Sequence, residues 1–135
     1  MANRPATVLA QLKRFGLSLP GTTPKSPWPG HDDVAVHNKT FAYLSVEGGQ
    51  LSMSVKLPVS GPQVLLLPGA RPTAYGLGRC GWVSVAFAPD AAVPVDTIMH
   101  WMMESYRAQA SKRLLKTLET EQPWVKAGAL PDSPG

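Results

Sequence analysis

Apolar positions recur along this chain with two different periods, and the change of period marks its elements. Val95, Ile98, Met99, Met102, Met103, Tyr106 and Ala110 return every three to four residues, the spacing of one face of an α-helix. Pro94 suits the first turn, where its missing N–H costs nothing. Asp96 sits well against the positive end of the helix dipole. His100, Trp101, Glu104 and Arg107 fall off this stripe. The three polar residues are expected in water, and Trp101 is expected against a loop or terminus, or as a contact surface. Val8, Leu9, Leu12 and Phe15 repeat the helical period between Pro5 and Phe15, and Gly16 is a plausible stop.

Between the two helical stretches the period falls to two. Val34 and Val36 alternate with Asp33, Ala35 and His37. Thr40 to Glu47 carries Phe41, Tyr43 and Leu44. Leu51, Met53, Val55 and Leu57 alternate with Ser52, Ser54 and Lys56. These are three short strands, and the turn signals Asn38-Lys39 and Gly48-Gly49 join them as antiparallel hairpins. Pro72 to Leu77 and Trp82 to Phe87 predict a further hairpin around Gly78-Arg79-Cys80-Gly81. The strands at 33–57 and Trp82–Phe87 are expected in one sheet.

The remaining segments carry weaker signals. Ser18 to Gly30, rich in proline and glycine, is expected to be a loop without regular structure. Pro58 to Pro68 reads as a short helix capped by Ser60 that buries Val64, Leu65, Leu66 and Leu67, or else as a strand. After Tyr106 the apolar stripe drifts, which suggests a bend or a second short helix from Ser111. The fold class expected is α+β: an antiparallel sheet of about five strands backed by N-terminal and C-terminal helices. One domain is expected over residues 1–119, with a tail over 120–135 pinned by Trp124.

Composition narrows the setting. The 135 residues suit one domain with a modest core, and 44% hydrophobic content argues against wholesale disorder. Fourteen prolines and twelve glycines imply short elements and many turns. The single cysteine, Cys80, rules out an intrachain disulfide framework or a CxxC metal site. With no signal-like N-terminus, a reducing cytoplasm is expected. No apolar run approaches the roughly 20 residues that span a bilayer, so no membrane role is expected.

Candidate chemistry is sparse. Gly76-Leu77-Gly78-Arg79-Cys80-Gly81 matches G-x-G-x-x-G, but the dinucleotide fingerprint needs a helix after it, and a strand follows here. The glycines are better explained by a tight turn. His31, Asp32, Asp33 and His37 have metal-ligand chemistry without a closing ligand framework. Cys80 has no base beside it in sequence, and Ser45, Ser84 and Ser105 lack nucleophile-elbow surroundings. The chain is therefore expected to bind rather than catalyse, with no cofactor and no metal.

The basic residues carry the sharpest hypothesis. Net charge is +4. Lys39, Arg71 and Arg79 fall in or beside turns, and Lys56 lies on a strand's polar face. Turns projecting from one side of the sheet would make a cationic ridge able to neutralise phosphates, with Trp82 as a stacking face. The rival readings are a protein partner docking near Trp101 and Leu115, and a small-molecule site on the Tyr75–Trp82 turn.

Several of these residues carry a resemblance. Arg71-Pro72, Tyr75-Gly76-Leu77-Gly78-Arg79, Gly81-Trp82-Val83-Ser84-Val85 and Ser105-Tyr106 resemble the MmcQ/YjbR family. So do the opening Ser18-Leu19-Pro20-Gly21-Thr22 and the hairpin Val34-Ala35-Val36-His37-Asn38-Lys39-Thr40-Phe41-Ala42. The resemblance runs from about Leu9 to Ala108. It implies a CyaY-like α+β domain, a curved antiparallel sheet backed by helices, and a DNA-binding label. One segment departs from the pattern. Where the family places a charged helix before Arg71, this chain has the apolar, proline-bounded Pro58–Gly69.

Overall fold

A computed structural model describes residues 5–25, 31–74, 77–88, 92–113 and 115–116. Helix α1 spans Pro5–Leu17 and helix α3 spans Val95–Gln109, with the single-turn helix α2 at Gly61–Val64. The strands are β1 Thr22–Lys25, β2 Asp33–Val36, β3 Lys39–Glu47, β4 Gln50–Lys56, β5 Ala70–Pro72 and β6 Trp82–Phe87. They form one six-stranded antiparallel sheet in the order β1-β2-β3-β4-β6-β5. The expected tail over 120–135, Trp124 included, lies outside the described residues.

The alternation in β4 decides the two faces of the sheet. Leu51, Met53 and Val55 are buried against the helices, so Ser52, Ser54 and Lys56 point the other way. The register extends that division: Val83 and Val85 of β6 pair with Val55 and Met53 on the helix side, while Trp82 and Ser84 pair with Lys56 and Ser54 on the outer side. Helices α1 and α3 both pack on the inner face.

Helix α3 buries more of itself than its stripe predicts. Ile98, Trp101, Met102, Met103, Ser105 and Tyr106 are all buried, an arc of about 200° at 3.6 residues per turn. The cause is that α3 packs against β3, β4 and α1 together. Trp101, at 7% exposure, belongs to the core cluster and is not an exposed contact surface. The helix ends at Gln109, where Ala110 is extended, and helical turns resume at 112–113 and 115–116.

A bulge in β3 ties this helix to the sheet. Pairing with β2 shifts between Val34 and Ala35, opposite Thr40 and Ala42, so Phe41 is the extra residue. Its carbonyl accepts from the buried Ser105 hydroxyl, which in turn accepts the Lys56 N–H at 2.8 Å. Gln109 Nε2 donates to the Thr40 carbonyl at 3.2 Å. Tyr106 meets Phe41 edge-on, with ring centroids 5.4 Å apart, and its hydroxyl donates to the Pro20 carbonyl at 2.7 Å.

Several local expectations are corrected. The segment read as a loop contains β1, a four-residue edge strand that tolerates Pro24. The β2–β3 turn is His37-Asn38, both at positive φ (47° and 68°), so Lys39 already belongs to β3. The strand expected at 72–77 is instead β5, ending at Pro72, followed by a 3-10 turn at Leu77–Cys80. Only Val64 is buried among the four residues expected to be: Leu65, Leu66 and Leu67 are exposed beyond the single turn of α2. Asp33, assigned to a polar face, is buried and accepts the Leu44 N–H at 2.9 Å. Burial pushes its carboxyl up, and that backbone hydrogen bond pulls it partly back.

Both edges of the sheet carry a proline facing outward. On β1, His37 N–H donates to the Gly21 carbonyl, so bonding pairs alternate from there and Pro24 turns its nitrogen away from β2. On β5, Thr73 N–H donates to Trp82 and Ala86 N–H to Gly69, which leaves Ala70 and Pro72 facing outward. The Ala70 N–H is occupied by the Leu67 carbonyl at 3.1 Å, and Pro72 has none.

Candidate nucleic-acid interface

Sheet direction determines where the basic residues meet. β3 begins at Lys39, β4 ends at Lys56, β6 begins at Trp82 and β5 ends at Pro72, all at the same end of the sheet. Lys39, Lys56 and Arg79 therefore gather there, and Arg71 lies one residue back on β5. In strand order they run Lys39, Lys56, Arg79, Arg71, across three inter-strand spacings or about 14 Å. Lys39, Arg71 and Arg79 are exposed and Lys56 is half-buried. None of the four forms a salt bridge among the described residues.

Helix α3 runs toward this end, since Gln109 reaches Thr40. It leads the basic segment Arg107, Lys112, Arg113 and Lys116 out from it. Among the described residues, acidic side chains lie mostly at the other end. Asp32 and Asp33 precede or begin β2, Glu47 ends β3, and Asp96 opens α3. Asp32 is paired with Lys13 at 2.8 Å. Among the described residues Glu104 is the acid nearest the basic end, and it is committed: its carboxylate accepts from Val59 N–H, Ser60 N–H and Ser60 Oγ–H at 3.0, 3.0 and 2.6 Å. It thus fixes the start of the α2 segment and does not simply face water, as its place off the stripe predicts.

The turn carrying Arg79 is shaped by its glycines. A Cβ at Gly78 would stand 2.7 Å from Pro72 Cβ, and Gly81 has φ of +89°. Gly78 and Gly81 of the G-x-G-x-x-G pattern make a close-packed turn into a strand. Cys80 is exposed in that turn, while Tyr75 and Gly76 lie outside the described residues.

Trp82 does not supply a stacking face. It lies on the outer side of the sheet but is only 5% exposed. Its ring meets Tyr43 at a centroid distance of 5.5 Å and a tilt of 58°. Tyr43, at 38% exposure, is the accessible aromatic of the pair. The signal for it was the β3 alternation, which sets Tyr43 opposite Ser54 on the outer face. His31, Asp32, Asp33 and His37 do not converge, for His37 is at the opposite end of β2 from Asp33. Among the described residues no three His, Cys, Asp or Glu side chains form a metal-sized group.

A family model, YjbR, matches residues 17–108. The chain belongs to the YjbR family. The match covers all six strands; it begins at Leu17, the last residue of α1, and ends within α3. The YjbR domain here also resembles a crystal structure of the Deinococcus radiodurans protein DR2400, which carries a DUF419 domain. The TM-score is 0.62 at 22% identity, over 93% of this chain and 90% of that one. That likeness is one of fold. No curated protein matches the sequence. Among the described residues no helix is long and apolar enough to cross a membrane.

Proposed function

We propose that this YjbR domain is a non-catalytic, cytoplasmic nucleic-acid-binding module that holds DNA through its phosphates. The observation that carries this reading is the gathering of Lys39, Lys56, Arg71 and Arg79 at one end of the sheet without salt-bridge partners among the described residues. Cations left unneutralised attract a polyanion, and binding releases the counterions condensed on it. Phosphate contacts carry no direct sequence information, so affinity should be nearly indifferent to base sequence.

The test is an anisotropy titration with random duplex and single-stranded DNA across a range of salt. Affinity should fall steeply as salt rises, and Arg79→Ala should reduce the slope of log K against log salt by about one unit. Absence of binding at micromolar protein, or binding indifferent to salt, overturns the reading.

A second reading is favoured by one observation. Val59 and Leu66 are 80% and 85% exposed, with Leu65 and Leu67 beside them. An apolar cluster of this kind suits a protein partner. It takes the place of Trp101, which is buried, and of Leu115, which packs partly against the core. Binding to such a partner would be insensitive to salt.

A further inference from the structure

The outer face of the sheet bears no described helix, and one row across it has the makings of a binding track. Tyr43 pairs with Ser54, Ser54 with Ser84, and Ser84 with Arg71. The row crosses four strands, from an accessible aromatic to an exposed guanidinium, over about 14 Å. Between them the side chains are short hydroxyls. Ser54 and Ser84 are hydrogen-bonded at 2.7 Å, and Thr73 joins Ser84 at 2.9 Å. Lys56 flanks the row two residues toward the basic end, opposite Trp82. Trp82 in turn buttresses the Tyr43 ring.

We propose that this face binds single-stranded nucleic acid, with a base stacked on Tyr43 and phosphates held by Arg71 and Lys56. The proposal rests on the nucleic-acid reading above and specifies which form of the polymer the site takes. Charge complementarity selects the occupant. Arg71 and Lys56 lack salt bridges among the described residues. Among the described residues the acids on this face are Glu47, at the far end of β3, and Asp33, whose carboxylate is occupied by the Leu44 N–H. Geometry selects the form. A duplex hides its base faces in the stack, whereas a single strand can splay a base onto an aromatic ring. The small side chains between Tyr43 and Arg71 let a backbone lie close to the sheet, and their hydroxyls can donate to sugar or phosphate oxygens. The track is longer than one nucleotide, which suits a strand better than a free mononucleotide.

The experiment compares wild type with Tyr43→Ala, Tyr43→Phe and Arg71→Ala. Labelled oligothymidine, a single-stranded RNA of mixed sequence and a duplex of equal length are titrated at fixed low salt. Single strands should bind more tightly than duplex. Tyr43→Ala should weaken single-strand binding about 5- to 150-fold, the range for loss of one stacked base, with the salt slope unchanged. Tyr43→Phe keeps the ring and should restore most of the affinity. Arg71→Ala should weaken binding and lower the slope by about one unit. If duplex binds as well as single strands, or Tyr43→Ala leaves single-strand affinity unchanged while Arg71→Ala weakens it, the track is wrong and the phosphate-binding reading stands. If none of the three polymers binds, both fall.

Discussion

Tyr106 concentrates several roles in one side chain. It is fully buried, stacks edge-on against Phe41 and closes the gap to Pro20 with its hydroxyl. Burial pushes its phenol from 10.0 up to about 12. The neutral form is favoured in the fold, so this stabilisation is complete below pH 10. It is lost as pH rises toward 12, up to about 3 kcal/mol in all. Tyr106→Phe keeps the ring and drops the hydrogen bond. It should cost about 1–2 kcal/mol at pH 7, and its deficit against wild type should shrink between pH 10 and 12. Urea melts at pH 7, 10 and 11.5 check both parts, and a constant deficit across that range would refute the assignment. Tyr106 was legible as a core residue from its place on the helical stripe. Its hydroxyl partner was not, because a hydrogen bond across 86 residues leaves no local trace.

At the scale of elements, strong periodicity was readable and short or edge elements were not. The β2, β3, β4 and β6 strands and both long helices follow from alternation or 3.6-residue spacing. β1 did not, because Thr-Thr-Pro-Lys has no apolar alternation and carries Pro and Lys, which central strands disfavour and an edge strand tolerates. Trp101 falls off the stripe and is nevertheless buried, because a stripe assumes one packing partner and α3 has three. Leu65 to Leu67 were assigned to the core on hydrophobicity alone, but α2 stops after one turn. Of the candidate site, the cations were visible as residues, whereas their shared end of the sheet depends on strand order. The accessible aromatic was assigned to Trp82 and belongs to Tyr43.

The α2 segment also gives a test at this scale. Its first N–H groups and the Ser60 hydroxyl rest on one carboxylate, Glu104. Glu104→Ala removes all three acceptor contacts and should destabilise the protein by about 1–2 kcal/mol. Amide exchange at residues 59–65 should accelerate more than in β3 or β4. Glu104→Gln retains an acceptor for the backbone and should recover most of the loss. Equal acceleration throughout the sheet would show that the contact does not act locally.

For the whole molecule, the decisive property is how the sheet stops. Pro24 and Pro72 occupy outward positions on β1 and β5 where an added strand would seek a donor. Replacing them with Thr and Val respectively should leave the monomer's far-UV spectrum intact and produce concentration-dependent assembly in light scattering. A double variant that stays monomeric at high concentration would refute this role. The consequence reaches beyond solubility. A proline nitrogen at an outward position of each rim strand makes the sheet a finite tile: copies crowded side by side lack a full row of donors through which to fuse into a continuous lattice.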